Sequence, residues 1–276
     1  MSGFRQQQET SHATGASRCP LAFNVLGVRV DAVQIPEVIR RMEVWIARRS
    51  GCRYIAVTGM HGITEAQHDS SFRTALKNAD LVVPDGMPLV WLGRLRGCGT
   101  QRRVYGPELM TTFCRETAAR GHRHFLYGGD AGVAERLSKV LARTCPGIHI
   151  VGVYAPPFRE LTSEEDAHIV ARIEHAAPDI LWVGLSTPKQ EKWMHDHRGR
   201  LRVPIMVGVG AAFDFLSQRK QQAPVWMQEH GLEWLFRLFQ EPGRLWRRYL
   251  IRGTQFIVLV GLELLGLRRF ESDSRA

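Results

Sequence analysis

The chain has 276 residues, 44% of them hydrophobic, and carries a formal net charge of +10 with a pI near 9.9. That size supports a substantial core, as one large domain or a domain with an appendage. The charge makes polyanions the expected partners: nucleic acid, anionic lipid or phosphate-bearing substrates. The five cysteines (Cys19, Cys52, Cys98, Cys114, Cys145) are odd in number and form no CxxC. They suggest neither a disulfide framework nor a zinc site, and point to a reducing cytoplasm.

Met1 to Arg18 is polar and lacks an apolar core, so it does not read as a signal peptide and is expected to be disordered. Asn24 to Ile35 alternates apolar residues and predicts a strand or hairpin, and Pro36 to Arg48 has helical spacing with proline near its start. Tyr54 to Thr58 reads as a strand, Gly59-Met-His-Gly62 as the turn after it, and Ile63 to Asn78 as helix in one or two pieces. Leu81 to Val83 is a short buried strand stopped by Pro84-Asp-Gly86, with a helix from Met87 to about Leu95. Arg102-Arg-Val-Tyr-Gly-Pro-Glu108 is a loop leading into a helix to Arg120. Next come a strand His124 to Tyr127, a glycine-rich turn, a helix Val133 to Arg143 and a strand Ile148 to Tyr154.

Thr162-Ser-Glu-Glu165 is a capping-box pattern opening a helix to His175, so the acidic run Glu164 to Asp166 belongs to a first helical turn. Asp179 to Gly184 is a strand, a helix starts near Pro188, and Pro204 to Gly210 is the last strand. Alternating strands and helices imply an α/β fold, with a mostly parallel sheet covered by helices on both faces. The composition changes after Gln218, and from Pro224 the chain is aromatic, basic and helical. The expected division is a tail over 1–22, a Rossmann-like domain over 23–218 and a helical appendage over 219–276.

Several constellations could carry chemistry. Asp85 ends a strand where open α/β sheets bind ligands, held by Pro84 and Gly86; the same position suits a plain cap of the next helix. Ser186-Thr-Pro-Lys-Gln-Glu191 puts Pro188 at a first helical position with Thr187 and Lys189 beside free N–H groups. That is an anion or diphosphate site, with Gln190 able to read a base or sugar, or else an empty helix start. Gly208-Val-Gly-Ala-Ala-Phe213 begins like a dinucleotide fingerprint, but Phe213 replaces the third glycine and no βαβ unit follows. A nicotinamide-dependent oxidoreductase is therefore a weaker alternative, although Gly208 and Gly210 permit close backbone approach to a ligand. Tyr127-Gly-Gly-Asp-Ala-Gly132 lacks the lysine of a P-loop and reads as a turn capped by Asp130.

The eleven histidines show no metal-binding spacing; His61 stands out because it follows a strand. Phe256 to Leu267 is an apolar run of twelve containing Glu263, too short to span a bilayer. With Trp226, Trp234 and Trp246 among Arg237, Arg244, Arg247, Arg248 and Arg252, it suits an anionic membrane surface or a lipid diphosphate. Nucleic acid is supported by charge alone, because no recognition motif accompanies it.

Four blocks occur together and in order: Asn78-Ala-Asp-Leu-Val-Val-Pro-Asp-Gly86, Gly184-Leu-Ser-Thr-Pro-Lys-Gln-Glu191, Gly208-Val-Gly-Ala-Ala-Phe-Asp214, and Gly231 to Pro242 with Arg244 to Tyr249. On them the chain resembles the WecG/TagA/CpsF glycosyltransferases (glycosyltransferase family 26) from about Phe23 to Tyr249. The resemblance implies a Rossmann-like core and a membrane-docking appendage that completes the site. It implies an inverting hexosyltransferase moving N-acetylmannosamine, its uronic acid or glucose from a UDP-sugar to an undecaprenyl-diphosphate-linked saccharide, in cell-envelope or exopolysaccharide synthesis. It places the protein peripherally at the cytoplasmic face of the plasma membrane, without a metal cofactor or nucleic-acid partner; release of the tail would favour self-association. On the same basis Asp85 matches the family's catalytic base, Gln190 a site glutamine, and Arg237, Arg244 and Arg247 the arginines that hold the diphosphate. The family's Thr-x-Asn stretch is a departure: Val57 and Gly59 fall there, and either Thr58 substitutes by a one-residue shift or that contact is absent; Thr58 and His61 are the candidate substrate contacts of that loop.

Overall fold

The computed structural model describes residues 21–99 and 102–270; the tail expected before it falls, through residue 20, outside the described residues. The first predicted segment is a hairpin, β1 (Ala22–Val25) and β2 (Val28–Asp31), paired antiparallel and separate from the main sheet. Helix α1 (Ile35–Arg48) follows, then β3 (Arg53–Thr58). The expected one-or-two-piece helix is two, α2 (Met60–Glu65) and α3 (Ser70–Asn78), with Asp69 capping the second through Phe72 N–H. The order continues β4 (Leu81–Pro84), α4 (Met87–Leu95), α5 (Gly106–Thr117), β5 (Arg123–Gly128), α6 (Val133–Thr144) and β6 (His149–Tyr154). Then come α7 (Ser163–Ala176), β7 (Ile180–Gly184), α8 (Lys189–His197), β8 (Ile205–Gly208) and α9 (Ala212–Leu216).

The main sheet is six-stranded and wholly parallel, in the order β4-β3-β8-β7-β5-β6. Its central strands are near-continuous apolar runs buried on both faces, as a parallel sheet between helical layers requires. One face packs on α1, α5 and α6 through Met42, Phe113, Leu137 and Trp182; the other packs on α7 and α8 through Tyr54, Ile173 and Met194. β4 lies at an edge, and the hairpin shields it: the Asp31 carboxylate accepts from Val82 N–H at 2.9 Å.

Helices α10 (Val225–Glu229), α11 (Glu233–Gln240) and α12 (Pro242–Trp246), a π-type turn (Arg247–Ile251) and α13 (Arg252–Leu264) complete the described chain. α13 packs on α2. Its Phe256, Leu259 and Val260 join the hairpin residues Phe23, Val25 and Val30 in one apolar cluster. Glu263, the lone acid of the apolar run, pairs with Arg96 at 2.6 Å.

Four local expectations need correction. Gly59 to Gly62 is not a turn: Gly59 precedes α2, whose first residue is Met60. Both glycines are sterically required, since a Cβ at Gly59 would lie 2.5 Å from the Asp85 carbonyl oxygen and one at Gly62 2.2 Å from Thr58 Oγ1. Pro188 sits one residue before α8 rather than inside it. The last strand stops at Gly208, because Gly210 turns the chain at φ +53°. Asp130 does not cap α6; Gly132 precedes that helix and Asp130 pairs with Arg219. The capping box at Thr162 and Glu165 is present in both directions.

Candidate active site

Sheet order builds the site. The carboxyl ends of β4, β3, β8 and β7 lie side by side, so the segments following them converge on one cleft of about 1180 Å³ including its open mouth. It is walled on the far side by α11 and the turn after α12. Asp85 follows β4, His61 lies in the first turn of α2 after β3, Gly210 follows β8, and Thr187 and Gln190 follow β7; all line this cleft, with Arg237 from α11.

Asp85 N–H donates to the Thr58 carbonyl at 2.8 Å, which fixes its backbone against β3. Its carboxylate accepts no hydrogen bond from any described residue. Burial pushes its pKa up to about 6, against the pull of Arg103; Glu233 pushes it further the same way, and Arg237 and Arg248 oppose it. A carboxyl poised there is deprotonated at neutral pH and more basic than an exposed one.

Around Asp85 stands a cluster that no single stretch of sequence signals. Arg103 Nη1 pairs with Glu233 Oε2 at 2.5 Å, and its Nη2 donates to Gln228 Oε1 at 2.9 Å. Tyr105 Oη donates to Glu233 Oε1 at 3.2 Å, with the Arg103 guanidinium 4.0 Å above the tyrosine ring. Arg103 and Glu233 are 130 positions apart, and the loop before α5 gave no local pattern to mark its arginine.

The start of α8, read from sequence as an anion site or an empty helix start, holds a carboxylate of its own. This is the wholly buried Glu191, whose Oε1 accepts from Thr187 Oγ1 and from Gln190 Nε2, each at 2.9 Å, and burial holds the carboxyl above its ordinary range. Gln190 Oε1 in turn accepts from Gly210 N–H at 2.9 Å. Gln190 therefore works as a strut between the β7 and β8 turns. Gly208 lies beneath it, where a Cβ would approach the Gln190 amide to 3.1 Å.

The remaining expected site residues are placed as follows. Lys189 is exposed and away from the cleft. Arg247 is exposed, its guanidinium 5.3 Å from the Trp246 ring, and it too does not line the cleft. Thr58 is buried below the floor, its hydroxyl without a hydrogen-bond partner among the described residues. The side chain of Arg244 lies outside the described residues. Arg248, adjacent to Arg247, does line the cleft, and its Nη2 meets His61 Nδ1 at 3.1 Å. Among the described side chains, the arginines that line the cleft are Arg103, Arg237 and Arg248. Among the described residues, no three His, Cys, Asp or Glu side chains are grouped to hold a metal ion.

A wall of arginines facing one unpaired basic carboxylate suits a reaction in which a hydroxyl loses a proton while negative charge grows on a phosphate leaving group. Comparisons with known proteins give the family. The model for the glycosyl transferase WecG/TagA/CpsF family matches residues 23–270. A Bacillus spizizenii protein named N-acetylglucosaminyldiphosphoundecaprenol N-acetyl-beta-D-mannosaminyltransferase is 30% identical over 186 residues, covering 67% of this chain and 70% of its own. Its namesake from Bacillus subtilis is 31% identical over 183 residues, covering 66% and 69%, and one from Staphylococcus aureus is 26% identical over 215 residues, covering 78% and 83%.

Proposed function

This chain belongs to the WecG/TagA/CpsF glycosyltransferase family, and from that premise we propose that it transfers N-acetylmannosamine, with inversion, from a UDP-sugar to an N-acetylglucosaminyl-diphosphoundecaprenol acceptor. The acceptor and the sugar are those in the names of its relatives. The observation that carries the reading is Asp85: a strand-end carboxylate with a raised pKa and no hydrogen-bond donor of its own, facing Arg237 and Arg248 across the cleft. Asp85 takes the proton of the acceptor hydroxyl as that oxygen attacks the anomeric carbon from the side opposite the nucleotide. The C–O bond to the diphosphate breaks, its electron pair stays on the phosphate oxygen, and the guanidinium groups stabilise the charge that develops there. No divalent cation is needed in this scheme, because the arginines supply the counter-charge; turnover should persist in excess EDTA.

The deciding experiment offers UDP-linked N-acetylmannosamine, its uronic acid and glucose with a short-chain diphospholipid carrying N-acetylglucosamine. A β-linked disaccharide from the first donor is the expected product. Turnover with another donor alone would replace the sugar in this reading, and no transfer from any sugar nucleotide would defeat it.

The acceptor is a membrane lipid, and we place the protein peripherally at the inner leaflet. No helix among the described residues is long and apolar enough to cross a membrane. α13 buries one side in the fold and exposes Ile257 (69%) and Val258 (54%) on the other, continuous in chain with exposed Leu250, Ile251, Leu265 and Leu267 and flanked by Arg247. Replacing Ile257, Val258 and Leu265 with serine should weaken binding to phosphatidylglycerol vesicles at least tenfold, since each buried apolar side chain contributes on the order of 1.5–3 kcal/mol. Vesicle co-sedimentation unchanged in the triple variant would move the membrane contact elsewhere.

A further inference from the structure

His61 and Arg248 come from opposite sides of the cleft, one from the first turn of α2 and the other from the turn after α12. Arg248 Nη2 lies 3.1 Å from His61 Nδ1. A guanidinium has donors only and keeps its charge, so the ring nitrogen facing it must present a lone pair. That excludes a doubly protonated ring and the Nδ1–H tautomer, and leaves the single proton on Nε2. The charge environment agrees: burial first, then Arg248, Arg237 and Arg252, hold His61 well below the ordinary histidine range, so the ring is neutral at physiological pH. Nε2 has no hydrogen-bond partner among the described residues, and His61, Arg248, Arg237 and Asp85 line the same cleft.

We propose that Arg248 is a positioning residue that holds His61 as its Nε2–H tautomer, and that this N–H donates a hydrogen bond to an oxygen of the departing nucleoside diphosphate. The inference rests on the glycosyl transfer proposed above and adds to it a donor that transfers no proton. The acceptor proton goes to Asp85, the bonding electrons go to the diphosphate oxygen, and His61 retains its Nε2 proton throughout. A neutral donor aimed at developing charge favours the transition state over the ground state. The proposal also accounts for the chain's departure at Val57 and Gly59. After β3 the chain brings Met60 and His61 to the cleft from the first turn of α2, and of these the histidine carries a polar group whose orientation depends on an arginine supplied by the tail.

The test uses the full chain with ring-15N-labelled histidine, read by long-range proton–nitrogen spectra with and without UDP. The expected result is a neutral His61 protonated at Nε2 whose Nε2 signal moves when UDP binds, and a mixture of tautomers in Arg248→Met. An Nδ1–H ring in the parent, an unchanged ring in Arg248→Met, or a His61 indifferent to bound UDP would each overturn the proposal. Kinetics give a second, independent reading. The glutamine amide nitrogen reaches the place of Nε2 and the asparagine one does not. His61→Asn should therefore lose about 10²-fold in kcat, the scale for removing one such donor, and His61→Gln about tenfold less, with KM for the nucleotide moving less than kcat in both. Equal losses in the two variants would remove the donor role and leave the transfer reaction standing. If the parent transfers no sugar at all, the reaction reading fails and the UDP-dependent shift still decides the histidine.

Discussion

Asp85→Asn is expected to lose about 10²–10⁴ in kcat/KM, the usual contribution of a single general base, and at the same time to resist heat better than the parent at pH 8. The two effects share a cause. The half-buried cleft strips much of the water from the carboxylate without giving it a hydrogen-bond donor among the described residues, and its pKa rises to about 6. A group whose native pKa lies above its unfolded value, about 3.9 for aspartate, binds its proton more tightly in the folded chain. The native state therefore holds the extra proton between about pH 4 and pH 6. Stability falls as pH rises through that window, and above it the full cost of the buried charge remains. At 1.36 kcal/mol per unit that cost is at most about 3 kcal/mol, and asparagine, nearly the same shape, escapes it. The parent's kcat/KM should fall as pH drops below about 6, where Asp85 takes up its proton, and that acid limb should be missing from whatever activity Asp85→Asn retains. Thermal unfolding and a pH profile of the two proteins check this. A variant with parental turnover would remove Asp85 from the role of base, and one less stable than the parent at pH 8 would show that the carboxylate is held by contacts the cleft does not reveal.

How much of this was legible in the sequence depends on the range over which each residue acts. The parallel sheet was readable because each buried strand is a local apolar run, and the capping box at Thr162 because it spans four positions. Asp85 could be placed at a strand end for the same reason. The start of α8 could not be resolved between an anion site and an empty helix start, because a helix N-terminus looks vacant in one dimension. Glu191, two residues beyond Lys189, instead engages the Thr187 hydroxyl and the Gln190 amide, while Lys189 turns to solvent. Arg248 rather than Arg247 faces the cleft because the chain breaks at Glu241 and passes through a π-type turn, so spacing along the tail does not fix which arginine points inward. Arg103 is the limiting case, since its role exists only through a carboxylate 130 residues away.

That carboxylate gives the second large effect. Glu233→Ala should destabilise the protein by about 3–5 kcal/mol, the scale for breaking a buried ion pair and leaving one partner behind. The pair qualifies: its side chains are 13% and 12% exposed, it closes at 2.5 Å, and Tyr105 Oη completes it. Glu233 is also how α11 is tied to the loop before α5, so its loss loosens the wall that carries Arg237. The effect on Asp85 runs the opposite way from a simple loss of order. Glu233 raises the Asp85 pKa and Arg103 lowers it. Without Glu233, the Arg103 charge acts unopposed, and the acid limb of the pH profile should move below pH 6. The base would then stay ionised in more acid and be weaker when ionised, so turnover at neutral pH falls although the fraction of ionised Asp85 rises. Glu233→Gln separates the two consequences. It keeps an oxygen to accept from Arg103, while its amide N–H can donate to the Tyr105 hydroxyl oxygen, so it should lose less stability than the alanine variant; it also removes the charge and should show the same displacement of the pH limb. A limb that stays near pH 6 in both variants would mean that burial alone sets the Asp85 pKa, and that the ion pair beside it serves only to hold the tail in place.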